Sequence, residues 1–523
     1  MSWNELVKLA LLGTDRAEIP DKLKDQWNTL GIATDDAPPR TLLHAAACYA
    51  NMQKVGQPLT DWTGKRPEPV PASSSINCSL ESSIHLKSIL ESERNNSEQL
   101  LKEFVLYLVH FKLTLPPELL PNILQRALRD ATIWALLQPA IGARGQWLIA
   151  LNPQWRPLLR QIDHQHWETG RKEERLAYLR QMRAQQAKEV PELLASTWSS
   201  EDHTTKKAFL EVMEDQLSQH DEEFLEQALD DKRKEVRMTA VRLLAQIPSS
   251  DYAQRMFERV SHFLELDDSD PEVPRPLISL PEKCTKDMIR DGVNPRQKWS
   301  KSGLKASRLL QMLGFVAPER WESHFGSSAE ELINIFARGE WALLLLQGLI
   351  DASVLHKNKR WRIALLKFWI RESGQKRWEA LNLKQLLPQL DNLSYNELSL
   401  MAVKKAPIVV ETAIPAVQLL QLPGYHWEDK LSMLTIKQLK TWISNEHRSY
   451  WQKRPYDHLL ANAALSVHPR LHKYFHDKWP VNDYIWATRS KEVDDFLNIL
   501  AFRKKMILAL ERRSRQKEEQ QTT

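Results

Sequence analysis

The segment LEQALDDKRKEVRMTAVRLLAQIPSSD, residues 225–251, contains the clearest helical pattern of the chain. A short helix is predicted to end at Asp230–Asp231, and a second helix to begin near Lys234 and to end before Pro248. The apolar residues of the second helix fall within about 100° of its circumference, which is the width of a face that packs on a core. These residues are Val236, Ala240, Leu243, Leu244 and Ile247. The segment therefore predicts a pair of antiparallel helices.

Similar helical segments precede this pair along the chain. They cover residues 187–198, 202–217 and 221–229. A single helix pair occurs in many α-helical proteins, so the pair by itself indicates only the fold class. Consecutive pairs predict a solenoid, in which each unit buries its apolar face against its neighbours. We therefore expect an all-α fold, with a solenoid of helical repeats and a helical C-terminal domain.

The composition supports an all-α protein with more than one core. The chain has 523 residues, and single cores stop growing near about 250–300 residues. Only 15 residues are Gly, which disfavours all-β folds and Gly-rich phosphate-binding loops. Changes in the helical pattern predict an N-terminal helical segment 1–54, a Pro/Ser-rich linker 55–83, helical repeats 84–265, a Pro-rich connecting loop 266–302, a C-terminal helical domain 303–510 and a disordered charged tail 511–523.

The second helix of the quoted segment carries a repeat pattern. An acidic pair is followed after three residues by E-V-R-x-x-A-x-x-L-L, with Asp231, Val236 and Arg237 at the defining positions. This pattern resembles a HEAT repeat. In HEAT repeats the Asp caps the second helix and the Arg braces the layer between neighbouring repeats. The resemblance implies these roles for Asp231 and Arg237.

Cysteine usage and hydropathy predict a cytoplasmic protein. The three cysteines, Cys48, Cys78 and Cys284, are an odd number without metal-ligand spacing, which indicates a reducing compartment rather than a disulfide framework. The N-terminus carries no signal-peptide pattern. The longest apolar stretch, at 341–350, is half as long as the roughly twenty residues that a bilayer requires. We expect no membrane association.

The sequence contains none of the common phosphate-loop, dinucleotide, zinc-protease, serine-hydrolase or Cys-x-x-Cys motifs. We therefore expect no metal, no cofactor and no enzyme activity, although an active site assembled from distant residues stays open. His468, His472 and His476 recur at the spacing of one helix face, so two of them could act as metal ligands. Because zinc needs further ligands and Pro469 places His468 at a helix start, we favour ordinary surface or half-buried histidines.

Positive charge is concentrated in the C-terminal third of the chain. Residues 356–378 contain eight Lys or Arg and one acid, whereas the whole chain has a net charge of +5. On the predicted helix, Arg360, Lys367 and Arg371 share one face and Trp361 lies on a separate sector. Cations beside an aromatic side chain predict a surface that binds phosphates and stacks bases. The alternative, which we favour, is a helix that buries Trp361 and exposes its cations to solvent.

Five motifs occur in a fixed order along the chain. They are LALLGTDR at 9–16, ARGQWLIALNPQW at 143–155, LDDKRKEVR at 229–237, LPEKCTKDMIRDG at 280–292 and FLNILAFRKKMILAL at 496–510. Together they resemble an uncharacterised bacterial family of HEAT-like proteins, which is typically encoded beside MoxR-type AAA ATPases, von Willebrand factor A proteins and SWIM zinc-finger proteins. The family has no established activity, so the resemblance implies a genomic neighbourhood rather than a chemistry.

Two functional hypotheses follow. The first is a non-enzymatic scaffold or adaptor, because stacked helix pairs present long surfaces that mostly bind other proteins. The resemblance implies an AAA ATPase or a von Willebrand factor A protein as the partner. The second is a nucleic-acid-binding protein, similar to HEAT-like DNA repair glycosylases, that would use the basic helix at 356–378. The sequence offers no counterpart to the catalytic Asp of those glycosylases.

Overall fold

The chain forms two compact units, Met1–Pro69 and Val70–Thr523. The described residues of the first unit form one hydrophobic core, and those of the second unit form two. The structure is a computed structural model. It describes residues 3–16, 18–34, 37–55, 68–70, 76–92, 96–155, 158, 163–267, 269, 273–299, 303–406, 414–444, 454–476, 479 and 483–522.

The described part of the first unit contains three helices, α1 (Trp3–Leu12), α2 (Asp21–Thr29) and α3 (Pro38–Val55). Gly13 follows α1 with a φ of +83°, in the left-handed region that Gly adopts without strain. Trp27 of α2 is completely buried at the centre of a small core. The other buried members of this core are Leu6, Leu23, Ile32 and Ala45.

The second unit begins with five helices and a short parallel strand pair. The strands are β1 (Ile76–Asn77) and β2 (Leu113–Thr114). The helices are α4 (Leu80–Glu91), α5 (Ser97–His110), α6 (Leu120–Ala127), α7 (Ala131–Leu137) and α8 (Gly142–Leu151). The linker predicted at 55–83 lies in large part outside the described residues, but β1 and the start of α4 fall within it.

Seven further helices follow between residues 164 and 261. They are α9 (His164–Thr169), α10 (Lys172–Gln185), α11 (Val190–Thr197), α12 (His203–Val212), α13 (Glu222–Ala228), α14 (Lys234–Gln246) and α15 (Asp251–Ser261). Helix α14 buries the apolar face that its sequence predicts, because Val236, Ala240 and Leu243 are completely inaccessible to solvent. Both α12 and α13 pack against α14, as expected for stacked helix pairs.

A β-hairpin interrupts the helices before the array continues. Strands β3 (Leu264–Asp267) and β4 (Arg275–Ile278) are antiparallel, with Leu264 opposite Ile278. The helices that follow are α16 (Lys286–Arg290), α17 (Leu304–Phe315), α18 (Glu319–Phe325), α19 (Ala329–Phe336), α20 (Ala342–Leu355), α21 (Lys359–Arg371), α22 (Asn392–Lys405), α23 (Ile414–Leu420), α24 (Asp429–Ser444), α25 (Arg454–Ser466), α26 (His472–His476) and α27 (Asp483–Thr522).

The predicted all-α, HEAT-like solenoid fold is confirmed. Most of the described residues are helical, and the described strands form only two small sheets of two strands each. One hydrophobic core extends from Trp167 to Leu500 without a break at the predicted loop 266–302. Met288 and Val293 of this segment are buried members of that core, so the segment joins the helices on either side of it.

A cluster of ion pairs fixes the end of this loop to the array. Asp291 is almost completely buried, and its carboxylate accepts hydrogen bonds from Arg255 and lies 2.9 Å from Arg259. The neighbouring Arg290 donates to Glu226 and Asp230 of the preceding repeat. The motif at 280–292 thus contains two charged residues that attach the loop to α13 and α15.

The last helix returns to the start of the second unit. Helix α27 packs against α25 and α26 and also against α4 and α5. Where a disordered tail was predicted from residue 511, α27 instead continues to Thr522. Arg512 donates to the Glu81 carboxylate at 3.0 Å, and Arg513 to the carbonyl of Asn77 at 3.3 Å. These partners lie more than 400 positions earlier, so the local sequence does not reveal them.

A buried ion pair lies at the centre of this contact. Arg503 of α27 donates two hydrogen bonds of 2.7 Å to the two oxygens of Glu103 on α5. Its remaining Nη donates to the carbonyls of Ala464 and Val467 at the end of α25. The side chain of Arg503 is only 1% exposed and that of Glu103 10%. All three nitrogens of the guanidinium are therefore used to join α27, α5 and α25.

We predict that Arg503→Met destabilises the protein by about 3–5 kcal/mol, because it leaves the Glu103 carboxylate buried without a partner. The matched control on the same helix is Arg512→Met, which breaks an exposed ion pair with Glu81. That control should cost less than about 1 kcal/mol. Urea unfolding followed by circular dichroism measures both changes, and equal losses would contradict the central role of the buried pair.

Candidate functional site

A groove lined by both charged and apolar residues lies between α12, α14, α17 and α20. It consists of a first cavity of about 720 Å³ and a second cavity of about 390 Å³. Arg242, Asp351 and Leu355 line both cavities, so the two are continuous. We call this feature the α14–α20 groove, and the smaller cavity its far end. The groove draws its lining from residues that are widely separated along the chain.

Two glycines set the distance between α17 and α20. A Cβ on Gly348 of α20 would lie 2.7 Å from the Cβ of Leu313, which is closer than side-chain atoms can approach. A Cβ on Gly314 of α17 would lie 3.3 Å from the Cβ of Asp351. The helices therefore pack with their backbones close together, as small residues permit. This close packing places Asp351 at the wall of the groove.

Asp351 is the most strongly desolvated carboxyl group that lines the groove. Its Oδ1 accepts hydrogen bonds from the side-chain amides of Gln347 at 2.8 Å and Gln385 at 2.6 Å. Burial raises the pKa of Asp351 above its ordinary value, and the two amide donors oppose this rise only in part. The carboxyl group can therefore take up a proton more readily than an exposed Asp.

At the far end, two cations share one carboxylate. Glu214, in the turn after α12, lies 2.8 Å from Lys357 through Oε1 and 3.5 Å from Arg242 through Oε2. Each oxygen of Glu214 thus faces a different cation. Arg362 lines the same cavity, and this residue is 5% exposed. It donates to carbonyls that include those of Ser353, Val354 and Pro388.

The residues of the predicted HEAT pattern hold the start of α14. Asp231 accepts a hydrogen bond from the Arg233 N–H at 2.8 Å and from Lys206 of α12 at 2.9 Å. Arg237 donates to the Asp231 carbonyl at 2.7 Å, and Val236 is completely buried. Asp231 therefore binds the residue directly before α14 and connects the helix to the previous repeat.

The residues of the predicted basic surface are not arranged as a surface that stacks nucleic-acid bases would require. Trp361 is completely buried, and its Nε1 donates to Glu322 at 2.6 Å, so stacking of Trp361 on a base is excluded by its position in the core. Arg360 forms an ion pair with the same Glu322. Arg371 donates to Glu372 at 3.1 Å, whereas Lys367 is exposed.

The three histidines at 468, 472 and 476 do not form a ligand set. His468 caps a 3-10 turn by accepting the Arg470 N–H, while the rings of His472 and His476 lie 5.8 Å apart. Among the described residues, no group of three or more His, Cys, Asp or Glu is placed to hold a metal ion. In the same part of the chain, no helix is both long and apolar enough to cross a membrane.

Comparison with protein families places the chain in one of them. A match to the DUF5691 family, described as a family of unknown function, covers residues 5–510. The chain belongs to this family. The DUF5691 match spans all five motifs and agrees with the uncharacterised family that they resemble. Searches of curated proteins and of solved structures found no match.

Sequence reasoning did not identify the groove of this DUF5691 member. Asp351 marks the end of the apolar stretch 341–350, and Lys357 lies within the basic cluster, but neither signal indicated a shared site. Glu214 and Lys357 are distant in sequence and meet only because α12 and α20 line the same cavity. Periodicity locates helices, but it does not show which turns face each other across a repeat array.

We predict that Asp351→Asn raises the melting temperature at pH 8 and that this gain shrinks as the pH falls toward the ordinary pKa of Asp, 3.8. The pKa of Asp351 is raised in the folded protein, so its ionised form is disfavoured above that pKa. Below 3.8 the carboxyl group is protonated in both states, and the difference disappears. An Asn still accepts the two amide hydrogen bonds.

The control is Asp391→Asn. Asp391 caps α22 and binds Lys359, and these contacts hold its pKa below the ordinary value. Its ionised form therefore stabilises the fold above that value, and its substitution should lower the melting temperature at pH 8. Thermal melts at several pH values measure both variants. A loss of stability for Asp351→Asn at pH 8 would refute the prediction.

Proposed function

We propose that the protein is a non-enzymatic scaffold or adaptor, and that the α14–α20 groove binds a polypeptide segment of its partner. The observation that carries the proposal is the balance of charge in the first cavity, where three cations face three acids. The cations are Lys207, Lys234 and Arg242, and the acids are Glu211, Glu235 and Asp351. A balanced lining suits a ligand with both donors and acceptors.

A polypeptide main chain is such a ligand. Each of its residues other than proline offers one N–H donor and one C=O acceptor, and both must be satisfied when they are buried. The first cavity also contains the side-chain amides of Asn294, Gln297 and Gln311, which carry donors and acceptors on one group. The apolar surfaces of Met238 and Leu310 add contacts for side chains. These features support protein binding.

A nucleic-acid-binding function has less support. Binding of a phosphate backbone depends on cations that can neutralise phosphates. On α21, Lys359 pairs with Asp391 at 2.8 Å and Arg360 pairs with Glu322, while Arg362 is buried. Phosphates would have to compete with these acids. The burial of Trp361 removes the aromatic surface on which this hypothesis depended.

We also propose a partner protein for this chain and a cellular compartment in which it acts. The five motifs resemble proteins encoded beside MoxR-type AAA ATPases and von Willebrand factor A proteins, and we propose one of these two proteins as the partner. A cytoplasmic location is part of the same proposal. The cysteines Cys48, Cys78 and Cys284 are all free thiols, as is usual in reducing compartments.

We predict that Met238→Arg weakens association with the partner about tenfold or more, because it places a charged side chain inside the first cavity. The matched control is Met433→Arg on α24, where the methionine is 45% exposed and lies outside the groove. The measurement is co-purification with the co-expressed MoxR-type ATPase and von Willebrand factor A protein, with and without nucleotide. If neither protein co-purifies with the unsubstituted chain, the proposed partnership is wrong. If both variants retain the partner equally, the groove is not its binding site.

A further inference from the structure

Two residues with an unusual backbone conformation line the far end of the groove. Lys357 has a φ of +51° and Gln389 a φ of +67°, in the left-handed region that favours glycine. Such a conformation costs a non-glycine residue free energy that a glycine would avoid. Both side chains line the same cavity of about 390 Å³. The backbone at these two positions therefore places a lysine and a glutamine side chain at the same cavity.

The positive groups at the far end exceed the negative ones. Lys357, Arg242 and Arg362 line the cavity together with two acids, Glu214 and Asp351. The hydrogen bonds of Arg362 go to neutral carbonyl and amide oxygens, so its charge is balanced only by dipoles. The cavity is therefore electropositive.

The arrangement around Glu214 shows which anion this cavity accommodates. One oxygen of its carboxylate meets Lys357 and the other meets Arg242, at 2.8 Å and 3.5 Å. The Gln389 side chain uses its oxygen to accept from Arg362, which leaves its NH₂ group as a donor. Two cations and an amide donor at one end of a groove match a planar group with two acceptor oxygens.

We propose that the far end of the α14–α20 groove binds a carboxylate of the polypeptide that occupies the groove, and that the side chain of Glu214 occupies this position until the ligand displaces it. The inference rests on the proposed function, because it assigns the chemistry of the bound segment. The carboxylate comes from an acidic side chain or from a C-terminus. Both sources offer the same two oxygens to Lys357 and Arg242.

Because the Glu214 carboxylate would compete with the ligand, substitution of Glu214 and substitution of Lys357 should change the affinity in opposite directions. Glu214→Gln removes the charge that competes for Lys357 and Arg242, so it should tighten the binding of a carboxylate peptide about tenfold. Lys357→Gln removes a cation and should weaken binding about tenfold. The matched control is Glu98→Gln on α5, which also removes one carboxylate charge from an ion pair. Glu98 lies 2.6 Å from Lys102 and lines neither cavity of the groove, so its substitution should change the affinity little.

The probes are three fluorescein-labelled decapeptides of equal length in a Gly/Ser background. The first contains four Glu and an amidated C-terminus, the second contains four Gln and an amidated C-terminus, and the third contains four Gln and a free C-terminus. Fluorescence anisotropy measures their binding to the full chain and its variants, and thermal melts confirm that each variant is folded. Preference for the first or for the third peptide over the second supports the proposal and identifies the source of the carboxylate.

Equal affinity for all three peptides would overturn the proposal. It would also be overturned if Glu214→Gln weakened the binding of the preferred peptide, since that carboxylate would then be part of the site and not a competitor. The binding of a labelled single-stranded DNA decamer is measured in the same assay. Tighter binding of the decamer, lost in Lys357→Gln, would assign the cavity to phosphates instead.

The peptide-binding experiment and the co-purification experiment test the two proposals separately. The peptides report on Lys357 and Glu214 at the far end, whereas the Met238→Arg variant reports on the first cavity and on a natural partner. Carboxylate binding with unchanged partner capture would refute the proposed function alone. Partner capture that depends on Met238, without carboxylate preference, would refute the present inference alone.

Discussion

The buried contact between Arg503 and Glu103 joins residues that are 400 positions apart. An isolated buried charge would be very unfavourable, but here each charged group has a complete set of partners. Two guanidinium nitrogens bind the carboxylate, and the third binds the carbonyls of Ala464 and Val467. The register of α27 against α5 is thereby fixed. Met506 and Leu510 of α27 are in turn buried members of the hydrophobic core that α4–α8 form. Through α27, the helices that follow α8 are thus connected to α4 and α5, which precede them.

The same physical solution recurs along the array. Arg183 donates to Asp221 and to carbonyls of the turn after α12, including that of Met213, and Arg362 donates to the carbonyls at the end of α20. The last carbonyls of a helix have no partner within that helix, and a planar guanidinium can satisfy several of them at once. Among the described residues, the three buried arginines Arg183, Arg362 and Arg503 all donate to carbonyl or carboxylate oxygens inside the protein.

The sequence predicted the parts of the fold that depend on neighbours along the chain. The apolar face of α14 and the end of this helix before Pro248 follow from periodicity and backbone geometry, and the structure has both. The α27 tail was not predicted, because the partners of Arg512 and Arg513 lie near residues 77–81. The groove was not predicted for the same reason, since Glu214 and Lys357 come from different repeats. Trp361 was placed correctly only by the alternative that treated it as a core residue.

The return of α27 to α5 also has a consequence for protein synthesis. The ribosome releases Glu103 long before Arg503, and at about 5–20 residues per second a gap of 400 residues lasts about 20–80 s. During this interval the core around α4–α8 lacks Met506 and Leu510, and a carboxylate that will be buried has no counter-ion. Exposed apolar surface of this kind is prone to aggregation in nascent chains. The arrangement therefore leaves this core incomplete until the segment that carries Arg503, Met506 and Leu510 has been synthesised.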